Sequence, residues 1–452
     1  MISLPGLSRD ASLLVCAFIG VAGLVVLIAR FKLNAFIALM LASLFVGLCS
    51  GMRLPDIAKG FQEGVGITLG FIAVVVGLGT VLGKMLAESG GAEVVATTLT
   101  KALGEKRLHW TLMMVAFAVG LPVFFGVGLV LLVPILFNLA RATKAPLLSL
   151  AIPVMAGLSV SHGLVPPHPG PMVAIERLGA DVGKTIFYAI LVGVPTAAIA
   201  GPVLGKFIGR RVPVEPGGIG AQLIQQSRPR SLPGFGLALF TMLLPVLLML
   251  LATVVDLALP KENRLRDGAD FLGSPLVSML IAVLFSFYAF GAARRFDRRQ
   301  ILKFTEECVG PAAGIMLVVG AGGGFSKVLE HSGVARAIAE AAGGIQISPL
   351  LLGWLVAALI RVAVGSATVT ITMTAAILAP VSASVPGTKP ELLVLAMGAG
   401  SLILSHLNDG GFWLVKEYFN LTVPQTLKTW TVVETVISVV ALLLILLLAQ
   451  LL

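Results

Sequence analysis

A single arginine, Arg361, lies near the middle of an apolar stretch, residues 350–373, with no acid close to it in sequence. A charge at mid-membrane costs roughly 2.5–3.5 kcal/mol even on the lenient insertion scale, so such a residue usually faces a cavity and has a function. Its guanidinium can grip a carboxylate through two parallel hydrogen bonds. The plainer alternatives are snorkelling to the interface or pairing with a structural acid such as Asp409. Just beyond it come Gly365 and a run of hydroxyls at every second position: Ser366, Thr368, Thr370, Thr372 and Thr374. In an extended stretch that spacing lines them on one side, where they would bond a polyol. Within a helix they would satisfy backbone carbonyls instead, which suits Thr372 and Thr374 better. Three of the five histidines, His162, His168 and His406, sit in glycine- and proline-rich segments. Histidine titrates near neutral pH and can carry a coupling proton, although a lone histidine is more often a hydrogen-bonding group, and the pair His162 and His406 also suits a structural role. Asp409 is the other acid able to carry a proton, as a carboxylate withdrawn from water. Following Asn408, it equally suits the cap of the next helix. Lys84 and Lys327 read as helix-end residues facing water.

These residues fall where apolar segments are interrupted. The first half breaks at residues 120–126 (GLPVFFG), with Gly120 and Phe125, and again at 161–171 (SHGLVPPHPGP), with Ser161 and His168. The second half breaks at 361–374 (RVAVGSATVTITMT) and at 405–413 (SHLNDGGFW), with Ser405, His406, Asn408 and Asp409. Unwound backbone at membrane depth survives only when buried in protein or lining a watery cavity. Each break also creates a half-helix N-terminus whose free N–H groups and partial positive charge suit an anion.

The breaks belong to a duplicated chain. Residues 61–90 align without gaps on residues 304–333, with identities at Phe61, Glu63, Ile72, Val75, Val76, Gly77, Gly79, Lys84, Leu86, Ser89 and Gly90. With small slips of register, Gly120 then answers Gly365, Pro134 answers Pro380, and Ser161-His162 answers Ser405-His406. Internal duplication of a hydrophobic chain marks secondary transporters, whose sites lie where the repeats meet. The composition agrees: 57% of the 452 residues are hydrophobic and 12% are charged, against about a quarter charged in soluble proteins. Residues 13–29, 35–48, 235–255, 276–290 and 432–452 are apolar runs long enough to enter a bilayer. No cleavable leader is expected, because Arg9 and Asp10 cancel and the basic Arg30 and Lys32 follow the first apolar run.

The net charge of +10 sits in loops such as 206–211 and 294–303. Basic inter-span loops mark the cytoplasmic side, so no nucleic-acid partner is expected. Under that rule the 30–32 turn is cytoplasmic, whereas in the second half the basic cluster follows the second span instead of separating the pair. The halves would then enter from opposite sides: residues 1–205 as a first transmembrane repeat, 206–232 as a cytoplasmic linker, and 233–452 as a second repeat. The expected fold is an all-α polytopic membrane protein with two inverted-topology repeats, discontinuous helices and re-entrant hairpins. Cys16, Cys49 and Cys308 have no paired spacing and read as small buried hydrophobes, with no disulfide framework, metal motif or cofactor.

The strings at 162–171 (HGLVPPHPGP) and 120–126, with those at 361–369 and 405–413, resemble the gluconate permease family of proton symporters over essentially the full chain. That resemblance implies import of gluconate or a related sugar acid with protons, or of D-serine in one branch, across a bacterial cytoplasmic membrane. It also implies two inverted repeats with re-entrant hairpins. The expected partners are a small carboxylate, protons and the lipid bilayer, and a homo-oligomer is compatible with them. The carboxylate would meet Arg361 and the half-helix N-termini around Gly120, Phe125, Gly365 and His168. Its hydroxyls would meet Ser366, Thr368, Ser161, Ser405 and Asn408, with Asp409, His162 and His406 left for proton coupling. Sodium coupling stays open, since carbonyls at unwound helices also suit Na⁺. A membrane-embedded enzyme built on His162, His168, His406 and Asp409 lacks any HExxH, GxSxG or paired-cysteine spacing. A passive channel is disfavoured by the hairpin-like breaks.

Overall fold

A computed structural model describes residues 8–103, 107–209, 211–212, 214, 232–260, 263–291, 296–334, 337, 348–384, 389–407 and 409–452. Among these residues every regular element is a helix and none is a strand. A chain this apolar must satisfy its backbone within each segment, and a helix does so locally.

The first half runs α1 (Arg9–Ala29), α2 (Ala35–Ser50), α3 (Leu54–Glu88), α4 (Gly91–Leu103), α5 (Leu108–Gly120), α6 (Phe125–Thr143), α7 (Leu147–Leu164), α8 (Pro169–Leu178) and α9 (Val182–Ile208). The second half runs α10 (Phe235–Ala258), α11 (Arg264–Gly273), α12 (Pro275–Gly291), α13 (Arg298–Glu307), α14 (Val309–His331), α15 (Pro349–Val364), α16 (Ala367–Ser384), α17 (Pro390–Gly400), α18 (Gly410–Tyr418) and α19 (Val423–Leu451). The five apolar runs of the sequence fall on α1, α2, α10, α12 and α19. Seven of the described helices are long and apolar enough to cross a membrane, and nine if each bent pair is one span. The protein is therefore a multi-pass integral membrane protein.

The order of elements repeats. Helices α1 and α2 correspond to α10–α12, α3 to α13–α14, α5 and α6 to α15 and α16, α7 and α8 to α17 and α18, and α9 to α19. The ends of the duplicated segment are built alike: Ser89 donates to the Leu86 carbonyl and Ser332 to that of Leu329. The glycine after each serine turns left-handed, with φ of 74° at Gly90 and 81° at Gly333. Only glycine adopts that conformation without strain. The repeat-related helices α3 and α14 also pack on each other through small residues. A Cβ on Gly64 would lie 2.3 Å from the Gly323 carbonyl oxygen, so the backbones touch.

Discontinuity concentrates at the centre. Helices α5, α15 and α17 hold 13, 16 and 11 residues, or roughly 17–24 Å at 1.5 Å per residue. That is short of a hydrocarbon core of about 30 Å. Each ends inside the protein and is followed by non-helical residues before α6, α16 or α18 begins. Every residue of α7 except His162 is buried, as is α17 from Leu392 onward. Outer helices instead turn apolar side chains outward, as at Phe18, 75% exposed, and Leu257, 76% exposed. Helices α7 and α17 are thus the inner layer, whereas α5 and α15 each turn one face outward, at Trp110 and Met114 and at Leu355 and Leu359.

Most of the expected linker, residues 210, 213 and 215–231, lies outside the described residues. The hydroxyl run differs from its extended expectation. Only Gly365 and Ser366 are non-helical, and the chain is helical again from Ala367. Thr372 and Thr374 donate to the carbonyls of Thr368 and Thr370 at 2.9 and 2.8 Å. A longer extended stretch would leave too many amides without partners.

Candidate functional site

The helix breaks meet around a cavity of about 420 Å³, within the usual range for small-molecule sites. Its wall includes the first turns of three helices: Phe124, Phe125 and Gly126 open α6, Ser366, Ala367 and Thr368 open α16, and Asp409, Gly410 and Gly411 open α18. First-turn amides have no partner within their own helix, and the helix dipole adds partial positive charge there. Three such termini around one space make it suited to an anion.

Arg361 enters from the last turn of α15 and is 3% exposed. One Nη donates to the carbonyl oxygen of Gly365, its own helix cap, and the other lies 2.5 Å from Asp409 Oδ2. Gly365 sits at φ 80°, which lets the chain turn back so that its carbonyl meets the guanidinium. The Nε atom is buried and has no hydrogen-bond partner among the described residues. Arg361 is therefore both paired to Asp409 and on the cavity wall, and these two contacts engage only two of its five N–H groups.

Asp409 caps α18 by accepting from Gly411 N at 2.9 Å. Its Oδ2 also accepts from Ser405 Oγ, which in turn accepts from Trp430 Nε1 at 2.7 Å. Trp430 is buried and packs on Phe125, with ring centroids 4.9 Å apart. One network of hydrogen bonds thus ties α15, the α17–α18 break and α19 together, and an aromatic contact joins it to the tip of α6.

Of the residues anticipated from sequence, Arg361, Ser366, Thr368, Phe125, Asp409 and His162 line the cavity. Gly365 and Ser405 lie directly behind it, bonded to Arg361 and Asp409. Gly120, Ser161 and His168 form a layer behind the α6 tip. Ser161 donates to Phe117 O at 2.8 Å, and His168 Nε2 lies 2.5 Å from Gly120 O. A Cβ on Gly120 would meet that of Ser161 at 2.9 Å, so the glycine permits the close approach of α5 to α7. His162 and His168 are neighbours, with ring centroids 5.0 Å apart. His406 is not with them: partly exposed, it holds the carbonyl of Val362 at 2.9 Å, outside the cavity. Asn408 lies outside the described residues.

Sequence reasoning passed over Glu434. It projects from α19, one turn after Trp430, is 1% exposed and lines the cavity with Ser159. The available signal was the same as for Arg361, an isolated charge within a strongly apolar helix. Gly314, Ile315 and Val318 of α14 supply an apolar wall that carried no sequence signal.

Known proteins give a consistent picture. A family model described as GntP family permease matches residues 12–452. A gluconate permease of Pseudomonas aeruginosa is 51% identical over 98% of this chain and 99% of its own. A D-serine transporter of Escherichia coli is 39% identical over 94% of this chain and 95% of its own. Among solved structures, the YdaH transporter of Alcanivorax borkumensis, described as having an unusual topology, superposes with a TM-score of 0.66 at 18% identity. It covers 91% of this chain and 96% of that one, a likeness of fold.

Proposed function

This chain belongs to the GntP permease family, and from that premise we propose that it imports gluconate or a related sugar acid with protons across a bacterial cytoplasmic membrane. The protein is a transporter and not an enzyme, as its relatives are permeases. The observation that carries the substrate class is the convergence of three helix N-termini and the Arg361 side chain on one cavity. A carboxylate would accept from Arg361 and from first-turn amides, while the hydroxyls of Ser366 and Thr368 and the face of Trp430 would meet the polyol chain.

The cycle is alternating access between two repeats inserted in opposite senses, residues 1–205 and 233–452, with the linker 206–232 inside the cell. The cavity draws on both repeats, with α6 and α7 from the first and α14, α15, α16, the α17–α18 break, α18 and α19 from the second. Relative motion of the halves would then expose it to one side at a time. D-serine is the second substrate considered, favoured by the 39% identical relative. The deciding experiment is uptake of labelled gluconate into proteoliposomes under an inward pH gradient, without sodium and with D-serine as competitor. Accumulation that a protonophore collapses and D-serine leaves untouched supports gluconate symport. Transport of D-serine alone replaces the substrate, and a strict sodium requirement replaces the coupling ion.

A further inference from the structure

The cavity wall carries one guanidinium, Arg361, and two carboxylates, Asp409 and Glu434. Arg361 and Asp409 neutralise each other in direct contact. Glu434 has no such cation: one oxygen is within reach of Ser159, and Oε1 is buried without a hydrogen-bond partner among the described residues. We infer that Glu434 is the proton site of the transporter, and that its neutralisation is the condition for an anionic substrate to enter beside Arg361.

The reasoning is one of charge. With Glu434 ionised the wall carries a net negative charge, and a sugar-acid carboxylate would bring a second one into a space walled by protein. With Glu434 protonated the wall is neutral, and the same carboxylate meets only the Arg361 guanidinium and the helix N-termini. Anion and proton therefore favour each other, which is the linkage a symporter needs. The surrounding elements leave this role to Glu434. From α15 comes Arg361, from the α17–α18 break Asp409, and from α7 His162, whose Nδ1 is also unpartnered but faces a site holding the Arg361 cation. Helices α9 and α17, which also pack on α19, bring no titratable side chain to the described wall. Asp409 is held by Arg361, Ser405 and the Gly411 amide, and His406 lies outside the cavity. Protonation forms one O–H bond on the Glu434 carboxylate, and no other bond is made or broken.

This assignment rests on the proton-symport reading, and the test separates the two. Purified wild-type protein, Glu434→Gln and Glu434→Asp are compared by three readouts: proton uptake from weakly buffered solution on adding gluconate, gluconate affinity against pH, and gradient-driven accumulation against counterflow in proteoliposomes. Above the titration midpoint of the free protein, wild type should take up about one proton per gluconate, with Kd rising about tenfold per pH unit. Glu434→Gln should take up none, bind with a pH-independent Kd, and retain counterflow while losing gradient-driven accumulation. Glu434→Asp should restore proton uptake with a displaced midpoint. Glu434→Gln that still takes up a proton, or Glu434→Asp whose midpoint matches wild type, overturns the assignment. So does a well-folded Glu434→Gln that loses binding and counterflow together, because Glu434 is then a substrate ligand. Wild type that binds gluconate with no proton uptake and no response to the gradient overturns the symport reading itself.

Discussion

Arg361→Lys separates a requirement for charge from a requirement for the guanidinium fork. Arg361 reaches Asp409 with one terminal nitrogen and the Gly365 carbonyl with the other, and the same guanidinium lines the cavity with further N–H groups to offer a substrate. Lysine keeps the positive charge and can sit against Asp409, so the buried carboxylate is not orphaned and the protein should still fold. A single ammonium cannot serve three directions held in one plane. The loss is one charge-assisted hydrogen bond to the substrate carboxylate, about 1.5–3 kcal/mol. At about 1.4 kcal/mol per tenfold, KM for gluconate should rise roughly 10- to 150-fold. The assay is initial-rate uptake into proteoliposomes at matched protein density, with size-exclusion elution showing intact protein. A KM within about threefold of wild type would refute the claim that the fork contacts substrate. Arg361→Ala, in contrast, strands Asp409 and should abolish uptake with a stability loss of about 3–5 kcal/mol.

Asp409→Asn should lower counterflow and gradient-driven uptake together, since Asp409 positions Arg361 and caps α18; selective loss of gradient-driven uptake would place the coupling proton there instead. Ser366→Ala and Thr368→Val should raise KM, whereas Thr372→Val and Thr374→Val should leave it within about twofold, because those hydroxyls already bond carbonyls of their own helix; uptake kinetics of the four variants decide. Gly64→Ala would drive a methyl group into the Gly323 backbone and should lower stability by about 1–3 kcal/mol, read as a fall in thermal midpoint, while Gly66→Ala, with open space around it, serves as the control. Ser405→Ala removes the hydroxyl joining Trp430 to Asp409 and should cost about 1–3 kcal/mol, visible as lost thermal stability and a changed tryptophan emission.

Hydropathy, the internal duplication and the placement of glycine and proline are local properties of a chain, and they determined the class of this protein from its residues alone. Lipid forbids unpaired backbone, so interruptions at 120–126, 161–171, 361–374 and 405–413 already marked segments that come together around the central cavity, and the cost of a mid-membrane charge already drew attention to Arg361 on its wall. The extent of the breaks was not legible, because a run of alternating hydroxyls fits either a strand or a helix until the demand for backbone partners is counted. Tertiary structure alone decided which distant residues meet. Asp409 lies 48 positions from Arg361 yet is its ion-pair partner, and the repeat-related His162 and His406 part company, one on the cavity wall and one outside it. Glu434 became significant only once α19 was packed against α7 and α15. An isolated acid in an apolar helix says that something must be near it, but only packing says what that something is.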